Sequence, residues 1–382
     1  GMIFPAVLGR MASRMRHGDL EGGRVIFADG LLSLVIPAAV AGILAAVGNG
    51  LVAGLCGMEN AAAAIRGAAP LFLLSMAAAG LRGYFIGLGQ MGVSALSLAV
   101  MEGGKLLFAL ALARSHAEQG AAAAAQWAML GVCIGEILSL LLLAGFFFYS
   151  RARTSIRQGV QKGPVPPMKE TAKALWAQGG VLLPALAPVA LWAMLDGLCI
   201  PGRMSGLGYT LSQTRTAYAI YSGISYPMMY FPAVLCALLP ALDFPRLRAA
   251  REQKNGPEAR ALTALCVKIC ILLSVAAAVC VLVLAKPLSS LLFGSALSET
   301  EWALASSMTS LMAVGVVFLS VALCTAGLLC VCGKQVIAAG NGVIVLVLKL
   351  ILVLTMTSNK NLNIMGAAFG TVLCAGVLAA CN

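Results

Sequence analysis

Eight charged side chains sit inside or at the edge of long apolar runs, and they are the residues of this chain that could do chemistry: Arg82, Glu102, Lys105, Glu136, Asp196, Lys268, Lys286 and Lys349. A charge in hydrocarbon costs several kcal/mol unless it snorkels to an interface, pairs with an opposite charge or faces a hydrated cavity. A fixed cation in such a cavity holds anions. A lone carboxylate there favours a proton or a bound cation. Glu102 stands three residues before Lys105, the spacing of a helical ion pair. Asp196 lies between Pro188 and Pro201, with Arg203 beyond it as a candidate partner.

The elements that must carry these residues follow from composition. Of 382 residues, 60% are hydrophobic and 10% charged, and the mean hydropathy is +0.95. These values lie outside the range of soluble domains and define an all-α polytopic membrane protein. Apolar runs long enough to span occur near 25–54, 68–89, 92–113, 122–149, 174–200, 213–242, 260–285, 302–332, 335–357 and 362–382, with a partial run at 2–16. This gives about 10–11 transmembrane helices. The short run before Arg10 and the end at Asn382 predict a chain shortened at both ends. The twelve cysteines lie singly or as Cys330-Val331-Cys332, without ligand-spaced partners, so they read as packing residues. No cofactor or metal is expected.

Basic residues alternate between the gaps. Sixteen fall in one set, beginning with Arg10, Arg14, Arg16 and Arg24 and ending with Lys334, against five in the other: Arg66, Arg114, Arg203, Arg215 and Lys360. The first set is therefore cytoplasmic, in a multi-pass cytoplasmic-membrane protein. The net charge of +12 reflects this topology and excludes nucleic acid as a partner. The Pro-rich stretch RARTSIRQGVQKGPVPPMKE divides the chain into an N-terminal bundle at 1–150, a linker at 151–170 and a C-terminal bundle at 171–382.

The pentapeptide FPAVL occurs at 4–8 and again at 231–235. Each copy leads to an Arg-x-Arg pair, Arg14/Arg16 and Arg246/Arg248. Further on, a constant offset of 244 pairs Gly83 with Gly327, Gly89 with Gly333, Ala95 with Ala339 and Lys105 with Lys349. Two intramembrane lysines at equivalent places predict a parallel internal repeat: two pseudo-symmetric bundles enclosing a central cleft, the architecture of an alternating-access transporter.

At Ala68-Ala69-Pro70, at Arg82-Gly83-Tyr84-Phe85-Ile86-Gly87 with Ser94, Ala95, Ser97 and Glu102, and at Leu195-Asp196-Gly197-Leu198, Pro201, Tyr221-Ser222-Gly223 and Phe231-Pro232-Ala233, the chain resembles a known family. It is similar to the stage V sporulation protein B-like, polysaccharide-biosynthesis branch of the multidrug/oligosaccharidyl-lipid/polysaccharide flippase superfamily. It departs from that pattern with Leu98 and Gly103 where Gln is usual, Lys105 for Arg, and Leu242-Asp243-Phe244-Pro245 at the end of one helix. The resemblance implies two six-helix bundles in a V-shaped flippase fold, of which this chain would lack the first helix and part of the second. It also implies transfer of a polyprenyl-diphosphate-linked oligosaccharide or peptidoglycan precursor between leaflets.

Such a substrate needs cationic donors for its diphosphate, and Lys and Arg are natural phosphate partners. Arg82, Glu102, Lys105, Lys349 and Arg203 are therefore the candidate substrate-binding residues, and Asp196 the candidate coupling-ion site for a proton or sodium. The competing readings are structural. Arg82 snorkels, Glu102 merely neutralises Lys105, Asp196 bonds a neighbouring helix or pairs with Arg203, and Glu136 serves as a structural partner. Lys268 reads as snorkelling, and Arg66 and Lys286 as interface anchors. The chain would act as a monomer, with membrane lipids around it. An enzyme is disfavoured because His17 and His116 lie in loops and no catalytic cluster accompanies them. A cation-coupled multidrug exporter of the same fold is the nearer alternative, expected to show acids rather than cations in its cavity.

Overall fold

The structure, a computed structural model, describes residues 20–55, 61–88, 90–155, 167–180, 183–241, 243–293, 297–359 and 362–382. The first FPAVL copy and the partial run at 2–16 lie outside these residues. The described chain is helical, with no strand, and forms two compact units, Gly1–Gly180 and Val181–Asn382.

The first unit holds α1 (Leu20–Val47), α2 (Asn49–Leu55), α3 (Ala61–Gly87), α4 (Met91–Ser115), α5 (Ala121–Ser155) and α6 (Met168–Gly180). Within it α1 packs on α3, α3 on α5, α4 on α5, and α6 on α1. The second unit holds α7 (Leu183–Gly206), α8 (Leu211–Ile220), a π turn (Tyr221–Ser225), α9 (Tyr226–Ala241), α10 (Phe244–Glu252), α11 (Gly256–Phe293), α12 (Glu299–Val331), α13 (Gln335–Met356) and α14 (Asn363–Cys381). Here α11 packs on α12, α12 on α14 and α13 on α14, the same pattern that α1, α3, α4 and α5 make in the first unit. The repeat read from sequence is thus a repeat of packing.

Among the described residues, eight helices are long and apolar enough to cross a membrane. The run expected at 174–200 divides between α6, which packs on α1, and α7. The run expected at 213–242 is one helical rod carrying the π turn, where the Tyr226 N–H reaches back to the Tyr221 carbonyl. Helix starts follow local chemistry. Thr210 caps α8, accepting from Gln213 N at 3.3 Å while Gln213 Oε1 accepts from Thr210 N at 3.0 Å. Ser298 and Glu301 form the same reciprocal box at α12, with Ser298 N donating to Glu301 Oε2 at 2.7 Å. Gly333, at φ +74°, makes the tight turn into α13.

Apolar side chains lie on both sides of these helices. Trp192, Tyr221, Met229, Met312, Val316 and Val345 are buried in the core of the second unit. Outward-facing Leu44, Leu51, Leu272 and Val336 are largely exposed, as helices bathed in lipid require. The Tyr84-Phe85 pair of the family-like motif lies inside the first unit. Tyr84 packs 4.7 Å from the Phe27 ring and 5.2 Å from Phe147.

Candidate functional site

In the first unit, three helices bring four charges and two hydroxyls together. Arg82, near the end of α3, is 4% exposed. Its Nε donates to Ser97 Oγ on α4 at 3.1 Å, and its Nη2 donates to Ser139 Oγ on α5 at 2.8 Å and to Met101 Sδ at 3.0 Å. Glu136 of α5 provides the countercharge, 3.6 Å from Arg82 and 3.3 Å from Lys105 Nζ. Lys105 also reaches Glu102 at 3.4 Å. Glu136, read from sequence as a structural partner, links both cations of this cluster. The snorkelling reading of Arg82 does not hold, because its guanidinium points into the bundle.

Close helix approach makes this cluster possible. A Cβ on Gly135 would come within 2.6 Å of Lys105 N and 2.8 Å of the Met101 carbonyl. Only glycine lets α5 lie this near α4, which places the next residue, Glu136, against the lysine. The cluster is graded in exposure. The Glu136 side chain is 5% exposed, that of Lys105 23% and that of Glu102 66%.

The second unit has a sealed counterpart. Lys349 of α13 is fully buried, and its Nζ stands 2.9 Å from Asp196 Oδ1 on α7. Lys349 Nζ donates to Thr371 Oγ1 on α14 at 2.5 Å, and Tyr221 Oη donates to Asp196 Oδ2 at 2.6 Å. The Tyr221 and Thr371 hydroxyls lie 2.8 Å apart, and Thr371 Oγ1 donates onward to the Ala367 carbonyl at 2.8 Å. Tyr221 opens the π turn. The extra residue of that turn shifts the helical register there, and such turns recur at functional sites.

Asp196 therefore both bonds a neighbouring helix and forms an ion pair, and its partner is Lys349 rather than Arg203. Arg203, in the last turn of α7, is exposed and carries no ion pair among the described residues. Lys268 and Lys286 are exposed, in keeping with interface positions. Sequence reasoning missed Tyr221, Thr371, Ser97 and Ser139 as members of these clusters. Tyr221-Ser222-Gly223 did stand out as a family-like string, but nothing in it announced a partner on α7.

Two helical bundles that gather their charges inside, among helices long and apolar enough to cross a membrane, define a multi-pass membrane protein with the fold of a transporter. Residues 224–381 match the family described as lipid II flippase MurJ. In structure the chain is similar to an inward-facing multidrug resistance MATE family transporter of the MOP superfamily, with a TM-score of 0.76 at 14% identity, covering 99% of this chain and 84% of that one. The outward-facing conformation of such a transporter gives a TM-score of 0.70 at 13% identity over 99% and 80% of the two chains. A MOP superfamily transporter from Pyrococcus furiosus Vc1, described by the reverse polarity of its binding pocket, gives 0.70 at 14% identity over 99% and 81%. No curated protein matches the chain in sequence. The chain thus shares the fold of MOP superfamily transporters, and its residues 224–381 are similar to a lipid II flippase family.

Proposed function

We propose that this protein moves a polyprenyl-diphosphate-linked saccharide, of the peptidoglycan-precursor kind, from the inner to the outer leaflet of the cytoplasmic membrane by alternating access. The observation that carries the substrate class is the match of residues 224–381 to a family described as a lipid II flippase. Charge balance alone does not separate flippase from exporter. Once Glu136 joins Glu102 and Asp196, the acids equal Arg82, Lys105 and Lys349 in number.

The geometry suggests how the cations serve. Lys105, partly accessible and shared between two carboxylates, can exchange one of them for a phosphate oxygen. Arg82, held by Ser97 and Ser139, keeps a fixed positive field behind it. Arg203 supplies an exposed cation on the second unit. Asp196 is the coupling site: binding a proton or sodium there weakens its pair with Lys349 and frees α7 and α13 to move against each other. The protein works as a monomer.

Complementation of a flippase-depleted strain tests this reading. The unsubstituted chain should restore growth and lower the accumulated lipid-linked precursor. Arg82→Gln and Lys105→Gln should fail to do so at unchanged membrane levels. Full complementation by both variants removes the site assignment. Efflux of cationic dyes, with precursor at wild-type level in the knockout, moves the protein to the exporter class.

A further inference from the structure

The second unit carries a groove that none of the steps above uses. It has a volume of about 560 Å³ and lies where α10, the first turns of α11 and the end of α12 meet. Arg251, Arg260 and Lys268 line it together with Thr263, and Ala264 and Val267 form its accessible apolar wall over the buried Leu247. All three cations are exposed, and among the described residues none forms an ion pair. Two of the nearby acids point to other partners: Asp243 pairs with Arg246 at 3.3 Å, and Glu258 accepts from Asn255 Nδ2 at 2.7 Å.

The arrangement is directional. Arg260 and Lys268 are two turns apart on one face of α11, about 12 Å along its axis, with Thr263 and Val267 between them. Arg251 and Arg260 belong to the gap whose excess of basic residues faces the cytoplasm, and Lys268 lies deeper along the apolar helix. A positive end at headgroup level that continues into an apolar channel, with one further cation down its length, matches an amphiphile with an anionic head and hydrocarbon below it. An isolated water-soluble anion would leave the apolar part unused.

We propose that this groove is a binding site for an inner-leaflet anionic phospholipid. Arg251 and Arg260 hold the phosphate, Lys268 reaches the phosphate or glycerol-ester level from below, and an acyl chain lies along Ala264 and Val267. Unpaired basic pockets between membrane helices on the cytoplasmic side have this recognition chemistry. The site belongs to the second unit alone and does not depend on which substrate the protein carries.

The test uses the purified full chain in detergent. Its thermal midpoint is followed while phosphatidylglycerol, phosphatidylcholine, inorganic phosphate or a polyprenyl diphosphate is titrated in. Phosphatidylglycerol should raise the midpoint saturably and phosphatidylcholine should not. R260Q/K268Q should need about tenfold more phosphatidylglycerol for the same shift. R246Q/K254Q, which removes two charges of the same loop outside the groove, should leave the titration unchanged. An equal loss in both double variants would show a diffuse basic surface and overturn the site. So would a shift reproduced by inorganic phosphate, or one given by polyprenyl diphosphate and not by phosphatidylglycerol. Native mass spectrometry of the same samples checks that the variants still fold, and retention of phosphatidylglycerol by R260Q/K268Q at the wild-type level would equally overturn the proposal.

Discussion

Lys105 and Lys349 occupy corresponding helices of the two units, yet one stands at the open edge of its cluster and the other is sealed. Lys105 is 23% exposed and shares two carboxylates, one of them itself 66% exposed. Lys349 and Asp196 are 0% and 1% exposed. The difference lies in where the acid comes from. In the first unit, Gly131-x-x-x-Gly135 on α5 is followed directly by Glu136. In the second, the similar string Gly366-x-x-x-Gly370 on α14 is followed by Thr371, a hydroxyl. The second unit therefore draws its countercharge from α7, and the π turn brings Tyr221 in to satisfy the other carboxylate oxygen. A charge pair closed off from water depends wholly on its partners, whereas a graded pair can trade one of them. The cluster of the first unit can trade a partner directly, whereas that of the second holds until one of its members is neutralised.

Breaking the sealed pair should have the largest effect. Lys349→Met leaves Asp196 as an uncompensated buried charge and should cost about 3–5 kcal/mol of stability, read as a lowered thermal midpoint of the detergent-solubilised protein. Replacing both members, as Lys349→Met with Asp196→Leu, should recover most of that loss, because the penalty belongs to the orphaned charge. Lys105→Met should cost clearly less, since Glu136 retains Arg82. Equal losses for the two lysines would end the contrast between sealed and open clusters.

Glu136→Gln comes next. Arg82 would keep Ser97, Ser139 and the Met101 sulfur but lose its only buried countercharge among the described residues. A loss of about 3 kcal/mol follows. If the variant unfolds at the wild-type midpoint, Glu136 is not what holds Arg82 and Lys105 together.

Much of this was legible in the sequence, and the reason is the cost of charge in hydrocarbon. Arg82, Lys105, Asp196 and Lys349 were visible because nothing else in an apolar run resembles them, and the lysine pair emerged from a constant spacing. Their partners were not visible. Asp196 and Lys349 come together from opposite ends of the second unit, and Arg203, two turns from Asp196 on the same helix, looked like the nearer choice. Glu136 seemed alone because its partners sit on α3 and α4, and only the approach of α4 to Gly135 brings them within reach. Hydropathy located the long helices well. It could not see the division between α6 and α7, marked in sequence by no more than Gln178-Gly179-Gly180, or the π turn, which is set by packing.

The smallest stability effect should come at the exposed rim, and there the comparison becomes a statement about function. Glu102 pairs with Lys105 at 3.4 Å, but two-thirds of its side chain is open to its surroundings. Exposed helical pairs contribute under about 1 kcal/mol. Glu102→Gln should therefore leave the thermal midpoint within a degree or two while changing transport. With that carboxylate gone, Lys105 is held by Glu136 alone and has one competitor fewer for an incoming phosphate, so precursor binding should tighten while turnover changes independently of folding. Unchanged precursor affinity in Glu102→Gln, measured on the same preparation that shows an unchanged midpoint, would mean that Lys105 does not trade Glu102 for a phosphate.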